Sequence, residues 1–434
     1  IQDSLGEYPR FRAVSDGRVT LEELQQTLRP GEGYLKLATL DGATFAIFAT
    51  SEMARAYRAG VDPEALEAEV DELRATIAYV ENGQTLTFPF DIEKSRALYK
   101  ALLEPVDGEV KALEHLVFEP DGAMLRLPAN LLVADDASVD RYVERIAQGG
   151  DDYDFTGTNW LGREVRITTT VSPSAFRDVR RAPGSSAVRE YIGFGENTPL
   201  TQERGTLGTR AALAGGADCL WAPSIWDYPI KADELYAASR SLGAGTAQER
   251  IVTGDTFTDT AVLGMEDLDQ YRILHFATHG LVTAPQPECP PRPALLTSFG
   301  DEQSDGLLSF AEIFDLKIDA DLVILSACDT AGEATLGATR EAGVSGGGFA
   351  LDGLVRAFVG AGGRTVVASH WPVPDDYDAT NRLIDGFFSV APGTSLAEAM
   401  RQSQGRLMDQ SETSHAFYGS GFAVVGDGGA QLRN

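Results

Sequence analysis

Apolar and polar positions change their period several times along the chain, and each change marks an element. Thr20 stands before Leu21-Glu-Glu-Leu24 as the cap of a short helix. Two alternating runs, Tyr34-Leu-Lys-Leu-Ala38 and Thr44-Phe-Ala-Ile-Phe48, flank Asp41-Gly42, an order that predicts a β-hairpin. Asp62-Pro63 opens a stretch to residue 80 in which Leu66, Val70, Leu73 and Ile77 recur at helical spacing. A further helix is expected over 92–104. Leu116-Val-Phe118 reads as a strand, Glu119-Pro-Asp-Gly122 as a turn and Leu125-Arg-Leu-Pro128 as a second extended piece. Gln148 to Asp154 reads as an exposed loop, Val165 to Val171 is β-rich, and Ser172-Pro173 introduces a short helix.

From about residue 188 the rhythm becomes strand, helix, strand. Strands are predicted at 219–223, 272–276, 321–326 and 364–368, with a last one at 421–425. Helices are predicted at 233–242, 310–314, 350–361, 377–390 and 396–408. Runs such as Leu322-Val-Ile-Leu325 are short, apolar and rich in branched residues, as buried parallel strands are. Parallel strands with crossover helices make an α/β sheet covered on both faces. No repeat of 20 to 50 residues is visible, which excludes a solenoid within this chain.

Open α/β sheets gather their functional residues beyond the carboxyl ends of strands. That rule selects two places: His275-Phe-Ala-Thr-His279-Gly280 and Ser326-Ala-Cys328-Asp-Thr330. If their strands are neighbours, His279 and Cys328 face one crevice.

Composition narrows the function classes. The 434 residues are 43% hydrophobic and 23% charged, enough for two or three compact units. No apolar run approaches the roughly 18 residues of a membrane span. A net charge of −29 argues against a nucleic-acid face, and no lysine and arginine block offers a site for anionic lipid. The plainer reading of this charge is a well-solvated acidic surface, and the second reading is attraction of basic peptides. Three cysteines, Cys219, Cys289 and Cys328, form neither a disulfide framework nor a zinc spacing, so no metal or other cofactor is expected. A reducing cytoplasm fits this usage. The start at Ile1 rather than Met is expected of a fragment or processed form.

A thiol is a poor nucleophile until it loses its proton, and a neighbouring imidazole makes the thiolate available near neutral pH. Backbone N–H groups of Gly280 and Cys328 could receive the developing oxyanion. The separation, 328 − 279 = 49 residues, is close to the ~50 between caspase His and Cys. Against this stands a plainer reading, in which Cys328 is a small buried hydrophobe and His279 a structural histidine. Spacing alone leaves both standing. Cys219 and Cys289 have no histidine suggested as partner. His275 should point into the core or fix a loop, His115 and His415 read as structural, and His370 before Trp371-Pro372 is a pocket-wall candidate. Gly343-Val-Ser-Gly-Gly-Gly348 lacks the ending of a phosphate loop, and no Gly-x-Ser-x-Gly elbow follows a strand.

Ordered along the chain are Glu119-Pro-Asp-Gly122 with Leu127-Pro128, Trp160-Leu-Gly-Arg-Glu-Val165, His275-Phe-Ala-Thr-His-Gly280 and Leu307-Leu-Ser-Phe-Ala-Glu-Ile313. Asp321-Leu-Val-Ile-Leu-Ser-Ala-Cys-Asp-Thr330, Leu354-Val-Arg-Ala-Phe358, Val367-Ala-Ser-His-Trp-Pro-Val-Pro-Asp-Asp376 and Phe422-Ala-Val-Val-Gly-Asp427 follow. With these the chain resembles the CHAT domains, caspase-like peptidases related to separase and usually attached to tetratricopeptide repeats.

The resemblance implies a caspase-like three-layer α/β fold with a mostly parallel central sheet. A catalytic domain over 186–434 would follow a related non-catalytic, pseudo-caspase half over 1–185. It makes His279 the catalytic histidine and Cys328 the nucleophile of an endopeptidase acting on a protein or peptide substrate in a regulated bacterial defence or cell-death setting. The alternatives are a catalytically silent interaction module and a non-peptidase thiol hydrolase. Asp375 resembles an acidic position that faces a basic cleavage-site residue in separases. Asp376 and Asp329 are further candidates, and His370 and Trp371 would line the same pocket. His370 stands where the family commonly has an aliphatic residue, and Pro374 is additional. The family's repeats are absent, so a regulatory N-terminal region or activating partner outside this chain is implied. Arg180-Arg181, Arg340 and the loop around 285–305 read as exposed candidates for self-cleavage.

Overall fold

The computed structural model describes residues 18–81, 84–200, 221, 223–242, 249–281, 293–301, 303–326, 353–371 and 376–432. They divide into two compact units. The first takes in the residues up to Arg181 together with those from His370 onward, and the second those from Ala182 to Ser369.

In the first unit, Thr20 caps the helix Leu21–Thr27 through a reciprocal bond with Glu23. Strands β1 (Glu32–Leu40) and β2 (Ala43–Thr50) pair antiparallel around Asp41-Gly42. Both turn residues take positive φ, 49° and 73°, the geometry that matches strand twist and that Asp-Gly adopts readily. Strand β3 (Ala54–Arg58) adds to the outer side of β2. Asp62 caps the helix Pro63–Ile77, which buries Leu66, Val70, Leu73 and Ile77 as their spacing predicts. Strands β4 (Tyr79–Glu81) and β5 (Gln84–Leu86) make a small hairpin, and Asp91 caps the helix Ile92–Leu103. Strands β6 (His115–Glu119) and β7 (Arg166–Thr169) then extend the sheet in parallel from β1.

Two local readings of this unit change. The second extended piece expected at 125–128 begins instead as a 3-10 turn, Gly122–Leu125, with Arg126 in the helical region. Gly122, at φ 57°, turns the chain abruptly after β6, and Glu67 and Asp71 bind the Arg126 guanidinium. A helix, Asp136–Ala147, also forms where none was anticipated, its N-terminus capped by Asp135.

The second unit contains strands β8 (Arg189–Gly195), β9 (Glu249–Thr253), β10 (Tyr271–Ala277), β11 (Gly280–Leu281), β12 (Ala294–Leu296), β13 (Leu307–Ser309), β14 (Leu322–Ser326) and β15 (Thr365–Ser369). Five of them form a sheet in the order β9-β8-β10-β14-β15, with every pairing parallel. The mostly parallel α/β architecture is therefore as expected. Strands β8 and β9 were not anticipated. The strand expected at 219–223 lies largely outside the described residues, and Pro223 opens a 3-10 turn, Pro223–Asp227. Helices follow at Asp233–Ser241, Phe310–Asp315 and Leu354–Ala361. Phe194 stacks on Phe276, and Phe276 packs against Phe358, so the sheet's interior is aromatic and closely filled. Gly195 is required here, because a Cβ on it would lie 2.3 Å from the Ala277 carbonyl oxygen.

The chain then returns to the first unit. Helices Ala379–Phe388 and Leu396–Met408 precede strand β16 (Phe422–Gly426), which pairs in parallel with β7. Among the described residues, no helix is long and apolar enough to cross a membrane.

Candidate functional site

The strand order places a switch in the second unit. From β8 the chain goes outward to β9, then returns to lay β10 on the other side of β8. Crevices beyond the carboxyl ends at such a switch are the binding places of open parallel sheets. Here Asn197 leaves β8 and His279 leaves β10, each two residues past its strand end. Strand β14 is the other neighbour of β10, in a register that sets Ala277 opposite Ser326. The condition stated from sequence, that the histidine and cysteine strands be adjacent, is met. Cys328 itself, two positions after Ser326, lies outside the described residues, as do Cys219, Cys289, Asp329, Arg340 and Asp375. The backbone of Asp376 begins a short turn, Asp376–Asp378.

The segment bearing His279 is held on both sides. The Thr278 hydroxyl donates to the Leu296 carbonyl at 2.6 Å, and the Leu296 N–H donates to the His279 carbonyl at 2.9 Å. Gly280 then pairs with Leu295. The ring of His279 approaches the backbone carbonyl of Tyr228, with Nε2 at 2.7 Å from the oxygen. A carbonyl only accepts, so Nε2 carries a proton, and in the neutral ring the lone pair belongs to Nδ1. A partly exposed imidazole with a defined basic nitrogen can take a proton from a nearby acid.

Directly below lies a buried polar chain. The Ser326 hydroxyl donates to Glu234 at 2.9 Å, Glu234 meets His275 Nε2 at 3.1 Å, and His275 Nδ1 meets the Tyr191 hydroxyl at 3.0 Å. His275 is fully buried and Glu234 is 4% exposed. Glu234 sits in the first turn of the helix Asp233–Ser241, where an acidic residue also complements the helix dipole. The network joins that helix to β8, β10 and β14. His275 thus faces the core, as its place on the strand suggested.

Other histidines belong to the first unit and serve its packing. His115 bridges Glu32 and Thr168 at 3.1 and 2.8 Å. The Nε2 of His415 donates to the Phe88 carbonyl at 2.9 Å while its Nδ1 accepts from the Phe417 N–H, and burial pushes the ring down to about 4. The residues expected at a pocket wall, His370 and Trp371, expose only 3% and 2% of their surface. Burial, with a smaller contribution from Arg74, lowers His370 to about 3. Trp371 donates its indole N–H to the Phe417 carbonyl at 3.0 Å. Arg180 corrects an expectation. Its side chain is 5% exposed and ion-paired to Glu32 and Asp427, so it is a structural arginine rather than an exposed cleavage site, whereas Arg181 is exposed.

Sequence reasoning missed Tyr228, Glu234 and Asn197. Tyr228 acts through its carbonyl, which no residue type signals. Glu234 looks like any acidic helix start. Asn197 was findable, since Tyr191-Ile-Gly-Phe-Gly195 is an apolar run ending in glycine, two residues before it.

Known proteins resemble this chain in two ways. Tetratricopeptide repeat protein 28 of Homo sapiens is 27% identical over 238 residues, 48% of this chain and 9% of that protein. Its Mus musculus counterpart is 28% identical over 275 residues, 53% of this chain and 10% of that protein. The chain therefore spans about a tenth of the length of these relatives. Two crystal structures of the Saccharomyces cerevisiae separase–securin complex share 9% identity with it at TM-scores of 0.45 and 0.46, covering 93% of this chain and 30% of that one. A family model described as the CHAT domain matches residues 93–427, from the helix Ile92–Leu103 to the end of β16, and the chain belongs to the CHAT domain family.

Proposed function

We propose that the protein is a caspase-like cysteine endopeptidase in which His279 and Cys328 form the dyad. The observation that carries this reading is the bond from His279 Nε2 to the Tyr228 carbonyl, which leaves Nδ1 as the basic nitrogen beyond β10, next to the strand that leads to Cys328. In this mechanism His279 takes the Cys328 thiol proton, and the thiolate attacks the peptide carbonyl. The oxyanion is received by the N–H groups of Gly280 and Cys328. Collapse to a thioester expels the amine, which takes the proton from His279, and water then releases the acid and restores the thiol.

Within this reading, residues 186–434 form the catalytic domain and 1–185 a related non-catalytic half. Asp375, with Asp376 or Asp329, meets a basic cleavage-site residue, since a desolvated Arg–carboxylate pair discriminates far better than an exposed one. The repeat-protein relatives support control by an N-terminal repeat region or an activating partner outside this chain. A cytoplasmic, defence-related setting belongs to the same proposal.

The test is labelling by a peptide electrophile with a basic terminal residue, compared with Cys328→Ala and His279→Ala. Selective modification at Cys328, lost in His279→Ala, is expected, together with proteome cleavage products absent from the Cys328→Ala sample. Equal labelling of all three cysteines would leave a binding module in its place.

A further inference from the structure

A backbone carbonyl directs a histidine only if something holds that carbonyl still. Tyr228 is 76% exposed and follows the short 3-10 turn Pro223–Asp227. We propose that Asn197 and Trp226 are positioning residues that hold the Tyr228 carbonyl against His279 and so set which imidazole nitrogen accepts a proton. This deepens the reading of His279 as the general base and rests on it.

Two buried side-chain bonds clamp the turn. The Asn197 amide donates to the Trp226 carbonyl at 2.9 Å, and the Trp226 indole N–H donates to the Thr297 carbonyl at 3.0 Å. Asn197, Trp226 and Thr297 are 2%, 5% and 0% exposed. Thr297 is the residue after Leu296, whose backbone holds Thr278 and His279 from the other side. The imidazole and its carbonyl partner are therefore both referenced to one strand end, that of β12. Such shared anchoring keeps a 2.7 Å contact constant when the surface turn fluctuates.

Two further details fit a built clamp. Gly306, at φ 75°, lies so close that a Cβ would stand 3.0 Å from the indole nitrogen, and its carbonyl accepts from the Thr297 N–H. Among the described residues the Asn197 Oδ1 has no hydrogen-bond partner, although the residue is almost fully buried. An apolar side chain of the same size would pack there without an unsatisfied acceptor. What asparagine adds is the N–H directed at the Trp226 carbonyl.

The experiment uses the full chain with Trp226→Phe and Asn197→Leu, each close in shape and lacking the donor. Nitrogen–proton correlation spectra of the imidazoles, assigned with His279→Gln, report the His279 tautomer. Wild-type protein should show the Nε2–H form, and each variant a tautomer mixture. Cleavage kcat should fall about 10- to 100-fold with little change in KM. Amide exchange in β10 should stay unchanged, separating positioning from loss of fold. An unchanged tautomer in a folded Asn197→Leu protein overturns the proposal, even if Trp226→Phe does not fold. If the tautomer shifts but Cys328 shows no selective reactivity in any form, the clamp stands and the peptidase reading falls.

Discussion

Replacing Glu234 tests whether the chain beneath the site ties its strands together. Alanine at this position removes an acceptor shared by Ser326, at 2.9 Å, and His275, at 3.1 Å. Both donors are buried, so neither finds water in exchange. A hydrogen bond to a charged acceptor contributes about 1.5–3 kcal/mol net, and breaking a buried pair costs about 3–5 kcal/mol. Glu234→Ala should therefore weaken this region by about 3–4 kcal/mol. Glutamine keeps one oxygen, and the Ser326 hydroxyl can turn to accept from the new amide, so Glu234→Gln should cost about 1–2 kcal/mol. Native-state amide exchange, read by mass spectrometry on peptides covering 271–277 and 322–326, measures local opening directly. At about 1.4 kcal/mol per tenfold, Glu234→Ala should exchange there roughly 100- to 1,000-fold faster, and Glu234→Gln roughly tenfold. A change below threefold in the alanine variant, or equal effects from both variants, would refute the idea that this carboxylate joins β10 and β14.

Three other outcomes follow from geometry and charge. Gly195→Ala forces a Cβ to 2.3 Å from the Ala277 oxygen and should push β8 from β10, with a stability loss of more than about 3 kcal/mol in urea unfolding and a broadened His279 ring signal. Burial alone would raise the Glu32 carboxyl, but hydrogen bonds from His115 and Arg180 and the Arg180 charge outweigh it and hold it far below the ordinary 4.5. Its folded-state value is depressed, so its stabilisation is complete above about pH 4.5 and lost as pH falls below that. Glu32→Gln should thus be destabilised at pH 7 and by progressively less as pH falls below about 4.5, as parallel unfolding curves would reveal. His415, lowered from 6.5 to about 4 chiefly by burial, stays neutral in the folded protein while the unfolded chain takes up a proton. Stability should fall by about 3 kcal/mol as pH drops from 6.5 to 4, and His415→Gln should lose that dependence.

Much of the scaffold was legible because its local chemistry and its packing agree. Thr20 and Asp62 are caps wherever their helices dock, and Asp41-Gly42 turns a hairpin because both residues tolerate positive φ. The strand bearing His275 is readable from its apolar run, and its histidines from their place at its end. The misreadings have a common cause. Leu125-Arg-Leu looks extended, but Gly122 and the ion pairs of Arg126 bend it into a 3-10 turn. Arg180 looks like an exposed basic pair until Glu32, more than a hundred residues earlier, and Asp427, more than two hundred later, surround it.

The sequence by itself determined the class of sheet, the position of most helices and the residues worth watching, since these follow from periodicity, caps and residue chemistry within a few turns of chain. Only the tertiary structure decided that β10 lies between β8 and β14, that β16 pairs with β7, and that His279 meets the carbonyl of Tyr228. Those contacts join residues 49 or more apart in sequence, and each uses on at least one side backbone atoms common to every amino acid, which is why no side-chain pattern could announce them.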